Sequence, residues 1–98
     1  MTRSLRFFDE AAEEIEEASA WYGQRSEVAR TAFLREIDRA IDAILDAPTR
    51  WPSHTNATRR FVCPTFPYTV VYFVEGDTVF IAAVAHEKRR PGYWRGRL

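Results

Sequence analysis

Apolar residues recur at helical spacing in the first half of the chain. The first such face consists of Ala11, Ile15, Ala18 and Tyr22. Asp9 offers an N-cap and Gly23 a stop, so this pattern predicts a helix over about 9–22.

A second helical pattern follows after a connection of about four residues, the length typical of an antiparallel helical hairpin. Ser26 can cap this helix, and Pro48 should end it near Asp46. Its predicted apolar stripe is Ala29, Phe33, Ile37, Ala40, Ile41 and Ile44, joined by Val28, Leu34 and Leu45.

β-branched and aromatic residues dominate the second half of the chain, where residues 69–74 and 78–85 flank a short break that contains Gly76. This pattern predicts a β-hairpin. Both faces of each strand are apolar, as is typical of central strands covered on at least one face. Residues 3–8 and 59–63 are predicted as two further strands.

The resulting order, β-α-α-β-β-β, predicts an α+β fold in which a helical hairpin packs on one face of a mainly antiparallel, twisted sheet. A length of 98 residues fits one domain over 1–98. In the polar loop 49–58, Trp51 is expected to fold back on the core, because an exposed indole leaves a large apolar surface in water. His54 is expected to be exposed.

Formal charge sums to zero but is divided between the halves of the chain. Residues 1–48 hold 6 arginines against 11 acids, and residues 49–98 hold 8 cations against 3 acids. Cys63 alone cannot form an internal disulfide, and one cysteine with two histidines at no ligand spacing predicts neither a metal site nor a cofactor. No apolar run reaches the ~20 residues that span a bilayer, and the first residues lack a signal-peptide core, so we expect a cytoplasmic protein with no membrane partner.

Four stretches of the chain, taken together, resemble the RelE/ParE superfamily of toxins from bacterial type II toxin–antitoxin modules. The match is closest to the ParE-like branch, often described as plasmid stabilisation proteins. The stretches are 17–22; 33–37 with Ala40, Ile44, Pro48 and Pro52; 59–61 leading into 66–72; and 83–86 with Arg89, Pro91, Tyr93, Trp94 and Arg97. The chain departs from the pattern at Thr65, Lys88 and Arg90, where relatives often carry Arg, Arg and an acid; the first change removes a cation.

The ParE-like resemblance implies a toxin that needs no catalytic residue and inhibits growth by binding DNA gyrase while its DNA is cleaved. The residues expected at the target or antitoxin surface are Arg89, Arg90, Tyr93, Trp94, Arg95 and Arg97. Aromatic side chains and arginines of this kind dominate interface hot spots. The alternative is a solvated basic tail with Trp94 packed on its own sheet.

The resemblance also implies a cognate antitoxin whose disordered segment folds onto the toxin. An apolar groove near Trp21, Tyr22, Phe33 and Ile37 would take its hydrophobic side chains. Its acidic residues would meet Arg89, Arg90 and Arg95. We expect no direct sequence-specific DNA binding by this chain alone.

The ribonucleases of the superfamily suggest a second function, cleavage of mRNA on the ribosome. Its candidate residues are His86, Lys88, Arg89, Tyr93 and Arg60, which would move protons and hold a phosphate. His86 lies at the end of the last strand, where it could instead close the strand by hydrogen bonding. The zero net charge argues against a ribosome-bound ribonuclease. A third possibility is a decayed toxin that only binds an antitoxin, which Thr65 would fit.

Overall fold

The computed structural model describes residues 3–98 of the chain. Its elements are, in order, β1 (Ser4–Phe7), α1 (Asp9–Gly23), α2 (Glu27–Asp46), β2 (Arg59–Val62), β3 (Tyr68–Glu75) and β4 (Thr78–His86), followed by a 3-10 turn at Arg95–Arg97. The predicted α+β class and element order are confirmed. Within residues 3–98, neither helix combines the length and the apolar character that a membrane-crossing helix needs.

The four strands form one sheet in the order β1-β4-β3-β2. β1 runs parallel to β4 and the other pairs are antiparallel, so the sheet is mainly antiparallel, as predicted. The β3–β4 register breaks once: Val71 pairs with Ala83, and the next residue, Tyr72, pairs with Ile81. Ala82 is therefore an extra residue in β4, and such a bulge changes which backbone groups point to the neighbouring edge.

The main core lies between the helical hairpin and one face of the sheet. The α2 residues buried there are Phe33, Ile37, Ala40, Ile41 and Ile44, as the helical spacing predicted. They pack with sheet residues that include Val70, Tyr72 and Ile81. Val28 and Leu34 were predicted in the same stripe, but they are 80% and 36% exposed. That prediction is wrong because both lie on the side of α2 that turns toward solvent.

The two helix starts differ. Ser26 caps α2 as predicted, since its Oγ accepts a hydrogen bond from the Ala29 N–H at 3.2 Å. Asp9 is not the cap of α1 but its first residue, and Phe8 occupies the cap position without a side-chain bond. The chain enters α1 directly from β1, and the Phe8 ring is held edge-on to Phe73 and Phe80. Gly23 is likewise the last helical residue rather than the stop beyond it.

The loop before β2 folds back as predicted. The Trp51 ring packs against Phe61 with a centroid distance of 4.6 Å, and its Nε1 donates to the Ala43 carbonyl at 3.3 Å. His54 is half-buried rather than exposed, because its ring lies 5.7 Å from that of Trp94. The loop therefore joins the helix layer to the opposite face of the sheet.

The C-terminal tail, residues 87–98, crosses the face of the sheet that the helices leave uncovered. Trp94 is only 2% exposed and packs on Val71 and Ala83 in a second, smaller core. The sheet is thus covered by helices on one face and partly by the tail on the other. This arrangement places the basic residues of the tail around a buried indole.

Candidate functional site

Beyond the bulge, the outer edge of β4 is closed by side chains instead of a strand. β1 ends at Phe7, which pairs with Ile81, so it does not reach the last residues of β4. There the Val84 N–H donates to Glu14 Oε1 at 3.0 Å, and the Ala82 carbonyl accepts from Arg97 Nη1 at 3.1 Å. Side chains from α1 and from the tail therefore satisfy backbone groups that a fifth strand would otherwise use.

The Glu14 carboxylate also binds two side chains of the tail. Tyr93 donates its hydroxyl hydrogen to Glu14 Oε2 at 2.5 Å, and Arg97 reaches both carboxylate oxygens at 2.9 and 3.1 Å. The Arg97 and Glu14 side chains are only 15% and 12% exposed. Burial, followed by the hydrogen bond that its hydroxyl donates to Glu14, raises the pKa of Tyr93 far above its usual value. This group, called the Glu14 cluster below, consists of Glu14, Tyr93 and Arg97, and it fixes the tail to α1 and β4.

Next to the Glu14 cluster lies an open cleft of about 250 Å³, whose lining also includes Tyr93. The arginines around it are Arg60, Arg89, Arg90 and Arg95, and together they define the basic cleft. All four are exposed. Among residues 3–98, the ion pairs are Arg30–Glu27 and Arg97–Glu14, so none of the four guanidinium groups of the cleft is neutralised by a carboxylate.

Local structure holds two of these arginines in place. The Arg89 guanidinium lies 3.9 Å from the centre of the Tyr93 ring, a cation–π contact. Arg95 folds over Gly92, whose φ of +72° favours glycine and where an added Cβ would lie 2.6 Å from the Arg95 Cζ. Arg95 Nη2 also reaches Thr55 Oγ1 at 3.5 Å. The tail conformation therefore positions two of the four arginines of the cleft.

The residues proposed for a ribonuclease are only partly brought together. Arg60, His86, Arg89 and Tyr93 line the basic cleft, whereas Lys88 does not. His86 accepts a hydrogen bond at Nδ1 from the Lys88 N–H at 3.0 Å, which leaves Nε2 to carry the proton of the neutral ring. The Tyr93 hydroxyl is committed to Glu14. Proton transfer by Tyr93 would require breaking that bond.

The burial of the tail residues corrects the prediction of which of them form an exposed surface. Trp94 lies under the tail and cannot contact a partner from the surface. Arg97 is held in the Glu14 cluster. Arg89, Arg90 and Arg95 remain exposed. The reason is that the apolar outer face of the sheet needs a cover, which the indole provides, while Glu14 needs a buried cation.

The structure also changes which of the predicted residues can line an antitoxin groove. Phe33 and Ile37 are core residues with 0% and 2% exposure, and Tyr22 is half-buried against Phe33 and Phe66. Trp21 is 52% exposed, with the Arg25 guanidinium 3.6 Å from its ring centre.

Trp21 instead borders a groove of about 180 Å³ between α1 and the end of β4. This groove, called the α1 groove below, is lined by residues that include Glu17, Trp21, Tyr68, His86 and Arg89.

Two carboxylates were missed as site residues by the sequence reasoning. Glu14 lies three residues after Ala11 and four before Ala18, both of which are buried, so helical spacing alone places it on the inner face. Glu36 on α2 accepts hydrogen bonds from the Thr65 and Phe66 N–H groups at 3.1 and 2.7 Å. Thr65 is therefore held against α2 and does not line the basic cleft.

Other chemistries find little support in the described residues. Cys63 is buried, and burial followed by the nearby Glu36 raises the pKa of its thiol to about 11, so it is a poor nucleophile. Within residues 3–98, no three His, Cys, Asp or Glu side chains are grouped as metal ligands.

Comparison with known proteins gives a consistent result. A family model described as the ParE toxin of the type II toxin–antitoxin system parDE matches residues 5–91. Among solved structures, the chain is similar to a chromosomal ParDE toxin–antitoxin system from P. aeruginosa, with 18% sequence identity and a TM-score of 0.74. That match covers 87% of this chain and 96% of the other, and it shows a shared fold. No curated protein matches the sequence.

Proposed function

The chain belongs to the ParE toxin family of type II toxin–antitoxin systems, and from that premise we propose that it inhibits bacterial growth by binding DNA gyrase until a cognate antitoxin neutralises it. The observation that carries the proposal is the family match over residues 5–91, which spans the helical hairpin, the whole sheet and the start of the tail. The similarity to the ParDE structure supports the fold on which that match depends.

The surface proposed for the target is the exposed part of the tail, formed by Arg89, Arg90 and Arg95. Trp94 and the Glu14 cluster hold this segment on the sheet. A binding surface that is already ordered loses less conformational entropy when it meets its target. Inhibition by binding suits such a rigid surface, since it needs only to stabilise one state of a larger enzyme.

The surface proposed for the antitoxin is the α1 groove. Its exposed Trp21 is of the residue type that most often anchors interfaces. Glu17 borders one part of the groove and Arg89 another, so a bound segment would need both an apolar anchor and charges of both signs. Replacing Trp21 with Ala should therefore weaken antitoxin binding while leaving the fold intact, because the ring is half in solvent.

The ribonuclease alternative receives less support from the geometry. Tyr93 is bound to Glu14, and Lys88 does not line the cleft that contains Arg60 and His86. His86 could still transfer a proton through Nε2. Substituting His86 with Ala separates the two functions: a ribonuclease should lose most of its rate, whereas a gyrase inhibitor should keep its effect.

Expression of the chain without antitoxin, with DNA breaks and mRNA integrity followed in the same cells, tests the proposal. Gyrase-linked breaks with intact message are the expected result. Rapid, codon-phased mRNA cleavage without DNA damage would instead establish the ribonuclease function. Normal growth with the protein present would leave a decayed toxin that only binds its antitoxin.

A further inference from the structure

The chain has a formal net charge of zero, but the basic cleft concentrates positive charge at one place on its surface. Its four arginines come from separate places in the sequence: Arg60 from β2, Arg89 and Arg90 from the segment after β4, and Arg95 from the 3-10 turn. The one acidic residue on its lining is Glu87. The fold therefore assembles a local cationic surface that the neutral total conceals.

The electrostatic effect of these arginines reaches the wall of the cleft. His54 lines the cleft, and its pKa is lowered first by burial and then by the charges of Arg60 and Arg95. Both guanidinium groups thus act on the same small volume. A ligand that occupied it would meet several cations at once, which favours a polyanion over a singly charged molecule.

The shape of the cleft limits what that polyanion can be. Its volume of about 250 Å³ is small, so the cleft cannot enclose a duplex. Its lining includes the small residues Thr69, Ala85 and Gly92. The aromatic rings of Tyr93 and Trp94 are not free to stack on a base, because Trp94 is 2% exposed and the Tyr93 ring already carries a guanidinium at 3.9 Å. An extended strand could therefore contact the cleft through its backbone but not through its bases.

We propose that the basic cleft binds the phosphodiester backbone of single-stranded nucleic acid without sequence preference. The planar guanidinium fork matches phosphate oxygens in a bidentate geometry, and four such groups around one cleft would follow consecutive phosphates. This contact goes beyond a protein target. If gyrase is the target, the cleft meets its DNA, but the inference depends only on the cleft.

Salt dependence gives the proposal a quantitative form. Each phosphate neutralised on a single strand contributes about −0.7 to the slope of log K against log salt concentration. Four arginines predict a slope of about −2.8, and affinity should fall about 50-fold between 50 and 200 mM salt. Each arginine removed from the cleft should reduce the steepness of the slope by about 0.7.

The test uses the purified chain and fluorescence anisotropy with a labelled oligothymidylate and a labelled oligouridylate. The variant Arg60→Gln/Arg95→Gln removes two cleft arginines. The matched control Arg35→Gln/Arg39→Gln removes the same charge from exposed positions on α2. We expect the cleft variant to bind at least tenfold more weakly at low salt with a shallower slope, and the control to bind as the unmodified chain does. Thermal melts establish that both variants are folded.

Several results would overturn the proposal. These are equal loss in the two variants, a slope near zero, and competition by poly-glutamate as effective as that by an oligonucleotide of equal length, which would indicate an acidic peptide as the ligand. DNA and RNA should bind within about threefold of each other, because the backbone phosphate is common to both. A preference above tenfold for either would contradict backbone-only contact. The assay contains no gyrase or ribosome, so its outcome is independent of whether the proposed target is correct.

Discussion

The Glu14 cluster and the basic cleft meet at Tyr93 and use arginine in opposite ways. Arg97 is bidentate to a buried carboxylate, whereas Arg95, two positions earlier, makes no ion pair. A buried cation whose partner is removed destabilises the fold, while an exposed one contributes little. Pairing with a carboxylate, and not position in a basic segment, therefore decides which arginines hold the tail and which remain exposed.

The largest expected effect comes from the buried residue of the tail, Trp94. Trp94→Ala should lower the free energy of unfolding by about 4 kcal/mol, because it removes a fully buried indole from the small outer core. Urea denaturation at neutral pH measures the change. Arg95→Ala, at the next position, is the control and should change stability by less than about 0.5 kcal/mol. Similar losses in both would mean that Trp94 is not a core residue.

A smaller but still large loss of stability is expected when the Glu14 cluster is disrupted. Glu14→Gln should cost about 3 kcal/mol, because it leaves the Arg97 charge mostly buried without its carboxylate. Glu17→Gln on the exposed part of α1 is the matched control and should be nearly neutral. The same denaturation experiment distinguishes them. An equal effect of the two substitutions would show that the Glu14 cluster does not hold the tail.

The hydroxyl of Tyr93 should make the stability that the Glu14 cluster contributes depend on pH. At pH 8, Tyr93→Phe should lose about 2 kcal/mol through its hydrogen bond to a carboxylate. The pKa of Tyr93 is raised above 10.0 in the folded chain, so the unfolded chain releases this proton first. The stabilisation is therefore complete below pH 10 and is lost as the pH rises above it.

Denaturation of the unmodified chain and of Tyr93→Phe between pH 8 and 11 tests this sign. The difference between the two should shrink as the pH rises, since the remaining tyrosines and Cys63 titrate in both. A difference that grows with pH would contradict the assignment.

The smallest expected effect is a gain in stability at the turn formed by residues 55–58. Asn56 and Ala57 have positive φ angles of 59° and 58°, and the Thr58 N–H bonds to the Thr55 carbonyl at 3.3 Å, as in a type I′ turn. Ala57→Gly should raise stability by about 1 kcal/mol by relieving the left-handed conformation of an alanine. A thermal melt measures the gain, and Thr49→Gly, outside the turn, should give none.

The fold was predictable because periodicity and turn residues determine it locally. The buried stripe of α2, apart from Val28 and Leu34, and the β3–β4 hairpin followed directly from spacing. The bulge at Ala82 could not be predicted from spacing, since it depends on how two apolar strands settle against different layers. The start of α1 at Asp9 was predicted, but its cap was not: the chain enters the helix with the Phe8 ring packed on the sheet, so Phe8 and not Asp9 occupies the cap position.

The site was less predictable because the sequence does not show which charges meet. Arg89, Arg90, Arg95 and Arg97 look alike in the tail, and only the position of Glu14 on the inner face of α1 distinguishes Arg97. Trp94 is of a residue type that both cores and interfaces favour, so composition could not decide between them. The structure shows that Trp94 is a core residue, because its side chain is buried on the outer face of the sheet.

We propose that the unpaired arginines of the cleft act on the partner, while the paired Arg97 holds the fold. The decisive measurement is growth after induction without antitoxin, comparing Arg90→Gln/Arg95→Gln with the control Arg35→Gln/Arg39→Gln at equal expression and with equal melting temperatures. We expect the cleft variant to relieve growth inhibition and the control to leave it unchanged. Full inhibition by the cleft variant would contradict it.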